Sequence, residues 1–216
     1  MSEKITQRDY NGIEDLFTDY YDRREWSGGG DETVSGSGST MRRTERLREE
    51  LPKLLAELKV ERILDAPCGD YNWFQHVERP GIHYSGGDIV QKMIADNLEK
   101  YADQNTNFMH FNILEDQAEK IDLWFCRDTL LHFSFANIKT FLHNFISSGT
   151  PYLLVSNYHQ CTENIDIPTG AGRELNLQIA PFNLPEPKNV LPDSSRGERP
   201  KVMALWHRDQ IVSVMK

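Results

Sequence analysis

Apolar positions along this chain follow two rhythms in turn. Leu47, Leu51, Leu54, Leu55 and Leu58 fall on one face of a helix, and charged residues fill the rest of it. Thr40 or Thr44 stands where such a helix needs an N-cap. Beyond it, short apolar runs alternate with helical spacing. Strands are predicted over Arg62–Ala66, His83–Asp88, Phe108–Phe111, Leu123–Arg127 and Tyr152–Ser156. Helices are predicted over Trp73–Val77, Val90–Tyr101 and Phe135–Ser147. Strands alternating with helices imply βαβ units, hence an α/β fold with a mostly parallel, twisted sheet. Right-handed crossovers then place helices on both faces.

The two ends of the chain break this pattern. Phe17, Tyr20 and Tyr21 sit at helical spacing in an otherwise polar start. Trp26 is followed by a glycine run and by Ser35-Gly-Ser-Gly-Ser-Thr40. By composition this is a flexible linker. The alternative is an ordered loop that closes over a ligand, since glycine permits close backbone approach. From Asn157 to Pro200 the prolines at 168, 181, 185, 187, 192 and 200 forbid a long helix or a central strand. So long an irregular stretch is usually functional or disordered, and Leu175, Leu177, Ile179, Phe182 and Leu184 argue against disorder. It forms either a wall of a binding pocket or the cover of a sheet edge. Val202–Trp206 and Ile211–Met215 read as one or two closing strands. We expect one domain over residues 1–216, divided into 1–60 (helices and Gly/Ser loop), 61–156 (core), 157–200 (insertion) and 201–216 (closing strands).

Candidate chemistry gathers at the ends of the strands. Ile63-Leu-Asp-Ala-Pro-Cys-Gly-Asp70 runs from an apolar strand into a glycine turn. Ligands in open α/β sheets sit outside the carboxyl ends of the strands, where strand order switches. The dinucleotide pattern G-x-G-x-x-G is absent. A turn rimmed by Asp65 and Asp70 would repel phosphate and suit a cationic ligand. Asp88 ends the next strand about 20 positions beyond the glycine turn, where an acid takes ribose hydroxyls. Ile89 would lie on a base, Asn112 would meet its amino group, and Ile113 would pack on its ring.

The formal net charge of -9 opposes a broad phosphate-binding surface. Basic residues are dispersed, with Arg23-Arg24 and Arg42-Arg43 as short pairs, and no Asn-Pro-Pro-Tyr segment is present. Nucleic acid is therefore not an expected partner. No apolar run approaches the ~20 residues of a membrane span, and Met1–Tyr10 is too polar for a signal peptide. The three cysteines are scattered and suit a reducing, cytoplasmic compartment.

Asp65-Ala-Pro-Cys-Gly-Asp70, Asp88-Ile-Val90 and Cys126-Arg-Asp-Thr-Leu-Leu-His-Phe-Ser134 resemble the motifs of class I S-adenosylmethionine-dependent methyltransferases. Ser35–Ser39, Asp65–Asp70, Arg127–Ser134 and Asn176–Asn183 stand in the order of a smaller branch, found beside glycan-building enzymes and including viral ones that methylate deoxyhexoses such as rhamnose. The resemblance implies a Rossmann-like class I methyltransferase fold over most of the chain and turns the Gly/Ser stretch into a cofactor lid. It implies S-adenosylmethionine as cofactor and S-adenosylhomocysteine as product. Cofactor contacts would come from Ser37, Gly38 and Thr40, from Asp65, Ala66, Pro67, Gly69 and Trp73, from Asp88 and Ile89, from Asn112 and Ile113, and from Arg127. Asn112 departs from the superfamily, which often has Asp there.

Methyl transfer to a hydroxyl needs alignment and a base for the proton. Asp128 and His132 would share a face if a helix began at Asp128. Either His132 is the base with Asp128 orienting it, or Asp128 takes the proton directly. A divalent ion held by Asp128, Asn157 and Glu163 is a further route that nothing in their spacing requires, and no metal site is predicted. Tyr158, Arg173 and Asn176 are candidate contacts to the acceptor, with Trp73 or Tyr158 stacking on a ring. The acceptor is a sugar hydroxyl, as the branch implies, or another small metabolite or natural product. RNA methylation and a non-catalytic cofactor-binding domain are the remaining readings.

Overall fold

Successive residues of a strand point to opposite faces of its sheet, and here both faces are apolar. The computed structural model describes residues 10–27, 30–118, 120–194 and 200–215. Its strands are β1 (Arg62–Asp65), β2 (His83–Asp88), β3 (Thr106–His110), β4 (Leu123–Cys126), β5 (Tyr152–Asn157), β6 (Asn189–Pro192) and β7 (Val202–His207). Its α-helices are α1 (Ile13–Asp22), α2 (Met41–Glu57), α3 (Gln91–Tyr101), α4 (Phe135–Ser148) and α5 (Arg208–Val212). Leu123 and Phe125 of β4 enter one apolar layer with Ile63, Leu154, Met203 and Leu205. Trp124 and Cys126 enter the other with Leu64, Leu153, Val155, Ala204 and Trp206.

Each layer is closed by a helix whose apolar stripe matches it. Leu47, Leu51, Leu54 and Leu55 of α2 cover the first. Ile138, Phe141, Leu142 and Phe145 of α4 cover the second. The result is helix on both faces of a sheet, as the alternation of strands and helices predicts. Thr40 rather than Thr44 caps α2, accepting from the Arg43 N–H at 3.4 Å. The Thr44 hydroxyl instead donates to the Thr40 carbonyl at 2.9 Å. Ser134 caps α4, and Gly149 ends it in the left-handed conformation (φ 74°).

The strand order is β3-β2-β1-β4-β5-β7-β6. β1 pairs in parallel with β2 and with β4, β2 with β3, and β4 with β5. β7 runs antiparallel to both β5 and β6. The order reverses between β1 and β4, and a crevice opens there at the carboxyl ends of the strands.

Several local expectations are corrected. Ile211 does not extend a closing strand. His207 caps α5 by accepting from the Asp209 N–H at 3.3 Å, and Gln210 bonds back to the His207 N–H at 3.0 Å. A capping box therefore turns that apolar run into a helix. The irregular segment after β5 supplies an edge strand, β6, which ends at Pro192 as an edge tolerates. Trp73–Val77 shrinks to one 3-10 turn, Phe74–His76. No helix begins at Asp128, which adopts a left-handed φ of 53° before a 3-10 turn at Leu130–His132. β3 starts two residues earlier than expected, at Thr106. Among the described residues no helix is long and apolar enough to cross a membrane. The signal-peptide expectation falls on Met1–Tyr10, which apart from Tyr10 lies outside the described residues, as do Gly28 and Gly29 of the glycine run.

Phe141 has no exposed surface and packs edge-on against Trp124 at 5.5 Å. Phe141→Ala should lower unfolding free energy by about 3–5 kcal/mol, measured by urea denaturation. A loss under ~1 kcal/mol would mean that α4 does not close the second layer.

Candidate active site

The crevice at the β1/β4 switch opens into a cavity of about 390 Å³, within the roughly 300–1,000 Å³ range of small-molecule sites. Its floor comes from the ends of β1, β2 and β4. Its wall is the loop 34–39, and α1 lies over its mouth. Phe17 of α1 stacks on Phe133 with ring centroids 6.0 Å apart. Tyr21 donates to Asp96 of α3 at 3.3 Å. Trp26, just past the helix, tilts over His132 at 5.4 Å.

Two carboxylates face this cavity with no ion pair among the described residues. Asp65 ends β1, is 3% exposed, and accepts from the Tyr84 hydroxyl at 2.7 Å. Burial pushes its carboxyl up to about 8, further than that hydrogen bond can offset. Asp88 ends β2 and accepts from the N–H groups of Gly69 (3.1 Å) and Val90 (3.0 Å). Burial lifts it to about 6 against those two bonds. An ammonium or sulfonium beside Asp65, and hydroxyl donors on Asp88, would each relieve a group that the fold has stripped of water. Gly69 supports this cradle at φ 59°, where a Cβ would run into the Ser35 side chain.

The Gly/Ser loop is pinned onto the turn after β1. One Asp70 oxygen accepts from the Thr33 hydroxyl and from the Val34 N–H, both at 2.7 Å. The Asp70 N–H donates to the Ser35 hydroxyl at 2.7 Å. Asn72 donates to the Ser39 carbonyl at 3.0 Å. Asp70 is thus spent on the loop and does not rim the cavity, contrary to expectation. The far end of the loop meets β4. Arg127 donates to the Gly38 carbonyl at 2.9 Å, and a Cβ on Gly38 would lie 2.9 Å from an Asp128 oxygen.

Four charges interlock beside the cavity. Arg127, buried at the end of β4, makes a forked contact with Asp193 at 2.9–3.0 Å. Asp128 lies 3.3 Å from Arg127. The Lys201 ammonium contacts both Asp128 oxygens at 2.5 and 2.6 Å, and Asp193 at 3.0 Å. Ser156 of β5 donates to Asp128 at 3.2 Å. Burial opposes the charged form of Asp128, but Arg127 and Lys201 outweigh it and hold the carboxyl well below the usual carboxylate range. Direct proton uptake by Asp128 is therefore disfavoured.

His132 is differently placed. Its Nδ1 meets the Ala171 carbonyl at 2.8 Å. A carbonyl only accepts, so Nδ1 carries the hydrogen and Nε2 the lone pair. Burial lowers the His132 pKa from its ordinary value, against the Ala171 bond and the Asp128 charge, which raise it. Burial thus favours the neutral ring, whose Nε2 is able to take a proton. Its orienting partner is Ala171, and not Asp128, the partner expected if a helix began there. Tyr158 lies on the same side, and burial pushes its hydroxyl up to about 12.

The cavity brings together Ser37, Gly38, Asp65, Pro67, Gly69, Trp73, Asp88, Ile89, Asn112, Ile113, Arg127, Asp128, His132 and Tyr158. Four expected residues do not line it. Thr40 caps α2. Ala66 is core. Arg173 turns its guanidinium to the Leu130 and Leu131 carbonyls and the Phe135 ring. Asn176 is buried and donates to the carbonyls of His159 and Cys161. Arg173 and Asn176 therefore brace the segment after β5 and make no wall of this cavity. Among the described residues no group of three His, Cys, Asp or Glu could hold a metal. Asn157, a candidate ligand, spends its side-chain oxygen on the Leu177 N–H at 2.7 Å. Sequence reasoning missed Lys201 and Asp193, and also Trp26 and Phe17. The one available signal was a charged residue directly flanking each of two apolar runs.

A scan of the sequence against protein-family models finds no match, and neither does a search of curated proteins. Solved structures are similar. A magnesium protoporphyrin IX methyltransferase, ChlM, from Synechocystis PCC 6803 with bound SAH superposes with TM-score 0.62 at 14% identity, covering 91% of this chain and 98% of that one. The DhpI–SAH complex gives 0.59 at 14% identity, covering 91% and 97%. The methyltransferase domain of bacterial CtHen1 gives 0.57 at 10% identity, covering 76% and 98%. At these identities the likeness is one of fold, and the chain shares the Rossmann-like α/β fold of these methyltransferases.

The raised Asp65 pKa has a signed consequence for stability. The folded state holds this proton up to about pH 8, whereas the unfolded chain releases it near pH 4. Between those values the native state binds more protons, so this group's contribution to stability falls as pH rises. Urea unfolding of the ligand-free protein from pH 5 to 8 should show a smaller decline in Asp65→Asn than in the unsubstituted chain. Parallel declines would mean that Asp65 ionises normally.

Proposed function

We propose that this chain is an S-adenosylmethionine-dependent O-methyltransferase acting on a sugar hydroxyl, such as that of rhamnose or another deoxyhexose in a glycan. The observation that carries the cofactor assignment is the pair of buried carboxylates with no ion pair among the described residues, Asp65 and Asp88, at the ends of adjacent parallel strands. Asp65 would receive the cofactor's ammonium end and Asp88 its ribose hydroxyls. Ile89 and Ile113 would flank the adenine. Asn112 would donate its amide NH2 to an adenine ring nitrogen instead of accepting from the amino group as expected, because its carbonyl oxygen already accepts from the Leu114 N–H at 3.0 Å. The Ser37–Gly38 stretch would cover the cofactor.

When bound, the cofactor supplies a methyl already activated on a sulfonium, so that the new C–O bond forms as the C–S bond breaks and its electron pair returns to sulfur. The chain has to align the hydroxyl, exclude water and take the proton. Nε2 of His132 is the acceptor of that proton. α1 and Trp26 exclude water. What supports a sugar is the chemistry of the cavity beyond the carboxylates. Tyr158, Lys201, Asp128 and His132 offer donors and acceptors in turn, as a polyhydroxylated ring requires, and Trp26 and Phe17 offer flat apolar faces. The net charge of -9 supports an acceptor without a phosphate backbone.

Labelled methyl transfer from S-adenosylmethionine to rhamnose-containing glycosides, to a panel of small-molecule alcohols and phenols, and to total RNA tests this reading, with and without magnesium. Label on the glycosides, independent of magnesium, is the expected result. His132→Ala should cut turnover by about 10²–10⁴-fold while S-adenosylhomocysteine still raises the melting temperature. Asp88→Ala should abolish that thermal shift. Label confined to the panel or to RNA would overturn the sugar assignment. Undiminished turnover in His132→Ala would end its role as base.

A further inference from the structure

Lys201 enters the cavity wall from the segment just before β7, and neither cofactor binding nor the proton transfer to His132 requires it. It is 9% exposed, and both of its partners are carboxylates. Asp128 is held by three groups at once: by Arg127, just past β4, at 3.3 Å, by Ser156 of β5 at 3.2 Å and by Lys201, just before β7. Asp193 closes the ring, bound to Arg127 and to Lys201 and wholly buried at its side chain. Two cations and two anions make this group neutral. A buried ionic group is tolerated only when its charges match. Asp128 is also a candidate rival to His132 for a proton, since both line the same cavity.

We propose that Lys201 is a positioning residue that clamps the Asp128 carboxylate against Arg127 and out of the proton transfer, leaving Nε2 of His132 to receive the acceptor's proton. The inference rests on the methyltransferase reading only for the identity of that proton; the clamp itself is a property of the chain. The charged groups acting on His132 are Asp128, which raises its basicity, and Arg173 and Lys201, which lower it. The ring also meets the Ala171 carbonyl and the Trp26 ring and lies beside Gly172. Removing the Lys201 charge leaves Arg127 alone against two carboxylates. His132 then feels a net negative charge and titrates higher. Removing the Asp128 charge has the opposite sign.

The test is an NMR titration of the His132 ring in the full chain, assigned by its loss in His132→Asn, which needs no substrate. Lys201→Met should raise the His132 midpoint by on the order of one pH unit. Lys201→Arg should hold it near the unsubstituted value. Asp128→Asn should lower it. The acid limb of the pH–rate profile for methyl transfer should move with the Lys201→Met titration. A midpoint that stays put in both Lys201→Met and Asp128→Asn, with melting still cooperative, overturns the clamp. So does a Lys201→Met variant whose turnover falls while its limb does not shift, because that is a structural role alone. Should Lys201→Met not fold, Lys201→Arg and Asp128→Asn still decide the sign. Absence of methyl transfer by the unsubstituted chain would count against the functional reading, and the titration would then decide the clamp by itself.

Discussion

The parallel pairing of β1 with β4 is the joint on which the molecule depends. Ile63 stands beside Leu123, Leu64 beside Trp124 and Asp65 beside Phe125. The chain leaves β1 toward β2 on one side and leaves β4 toward β5 on the other. The two connections diverge, so no backbone fills the space above the joint. Side chains at and just beyond these strand ends can face that space. Asp65 and Asp88 at strand ends, and Arg127 and Asp128 just past β4, line it, while Leu64 and Cys126 before them are core.

The cavity that results has two electrostatic halves. Over β1 and β2 the carboxylates of Asp65 and Asp88 are buried with hydrogen bonds but with no ion pair among the described residues, and their pKa values rise. Over β4 the charges of Arg127, Asp128, Asp193 and Lys201 cancel. One half is short of positive charge and the other is balanced. A cationic donor molecule in the first and a neutral hydroxyl compound in the second is the pairing that leaves neither half worse solvated. The same division explains why Asp128 and Asp65, both acids at strand ends, differ in the direction of their shifts. Position in the fold is alike, and the neighbouring charges are not.

Much of this arrangement is written locally. The continuous apolar runs of β4, β5 and β7 and the leucine stripe of α2 are short-range patterns, so the strands and helices of the core are legible to within two residues. The acids at strand ends are legible too, because an aspartate that breaks an apolar run has to face solvent or a ligand. What is not legible depends on distant partners. Asp193 and Lys201 meet residues 66 and 73 positions away, and their own neighbourhood shows only a charge flanking an apolar run, with no sign of which partner it meets. Asp70 sits in a cofactor-type turn but is consumed by Thr33 and Val34 across the fold. Arg173 and Asn176 look like pocket residues because polar side chains stand out in an apolar stretch. Their real partners are backbone carbonyls, of the turn at Leu130 and Leu131 for Arg173 and of His159 and Cys161 for Asn176. At Ile211 the apolar spacing suits a strand or a helix equally, and the capping box of His207 and Gln210 decides it.

The Gly/Ser loop shows how such distant contacts convert composition into structure. A sequence of small residues loses much conformational freedom when it is fixed, at roughly 1–2 kcal/mol of backbone entropy per residue. Beyond Val34 at its start, it has no apolar side chains with which to offset that loss. Its order comes from two polar anchors, Asp70 at one end and Arg127 at the other. Each hydrogen bond to a charged group contributes about 1.5–3 kcal/mol, so a few of them roughly balance a segment of this length and do not greatly exceed it. The small side chains that make it costly to order are also what lets it lie so close to the site, since a Cβ on Gly38 would press on Asp128 and one on Gly69 would press on Ser35. The anchor at Arg127 thus ties the loop to the same group of charges that surrounds Asp128.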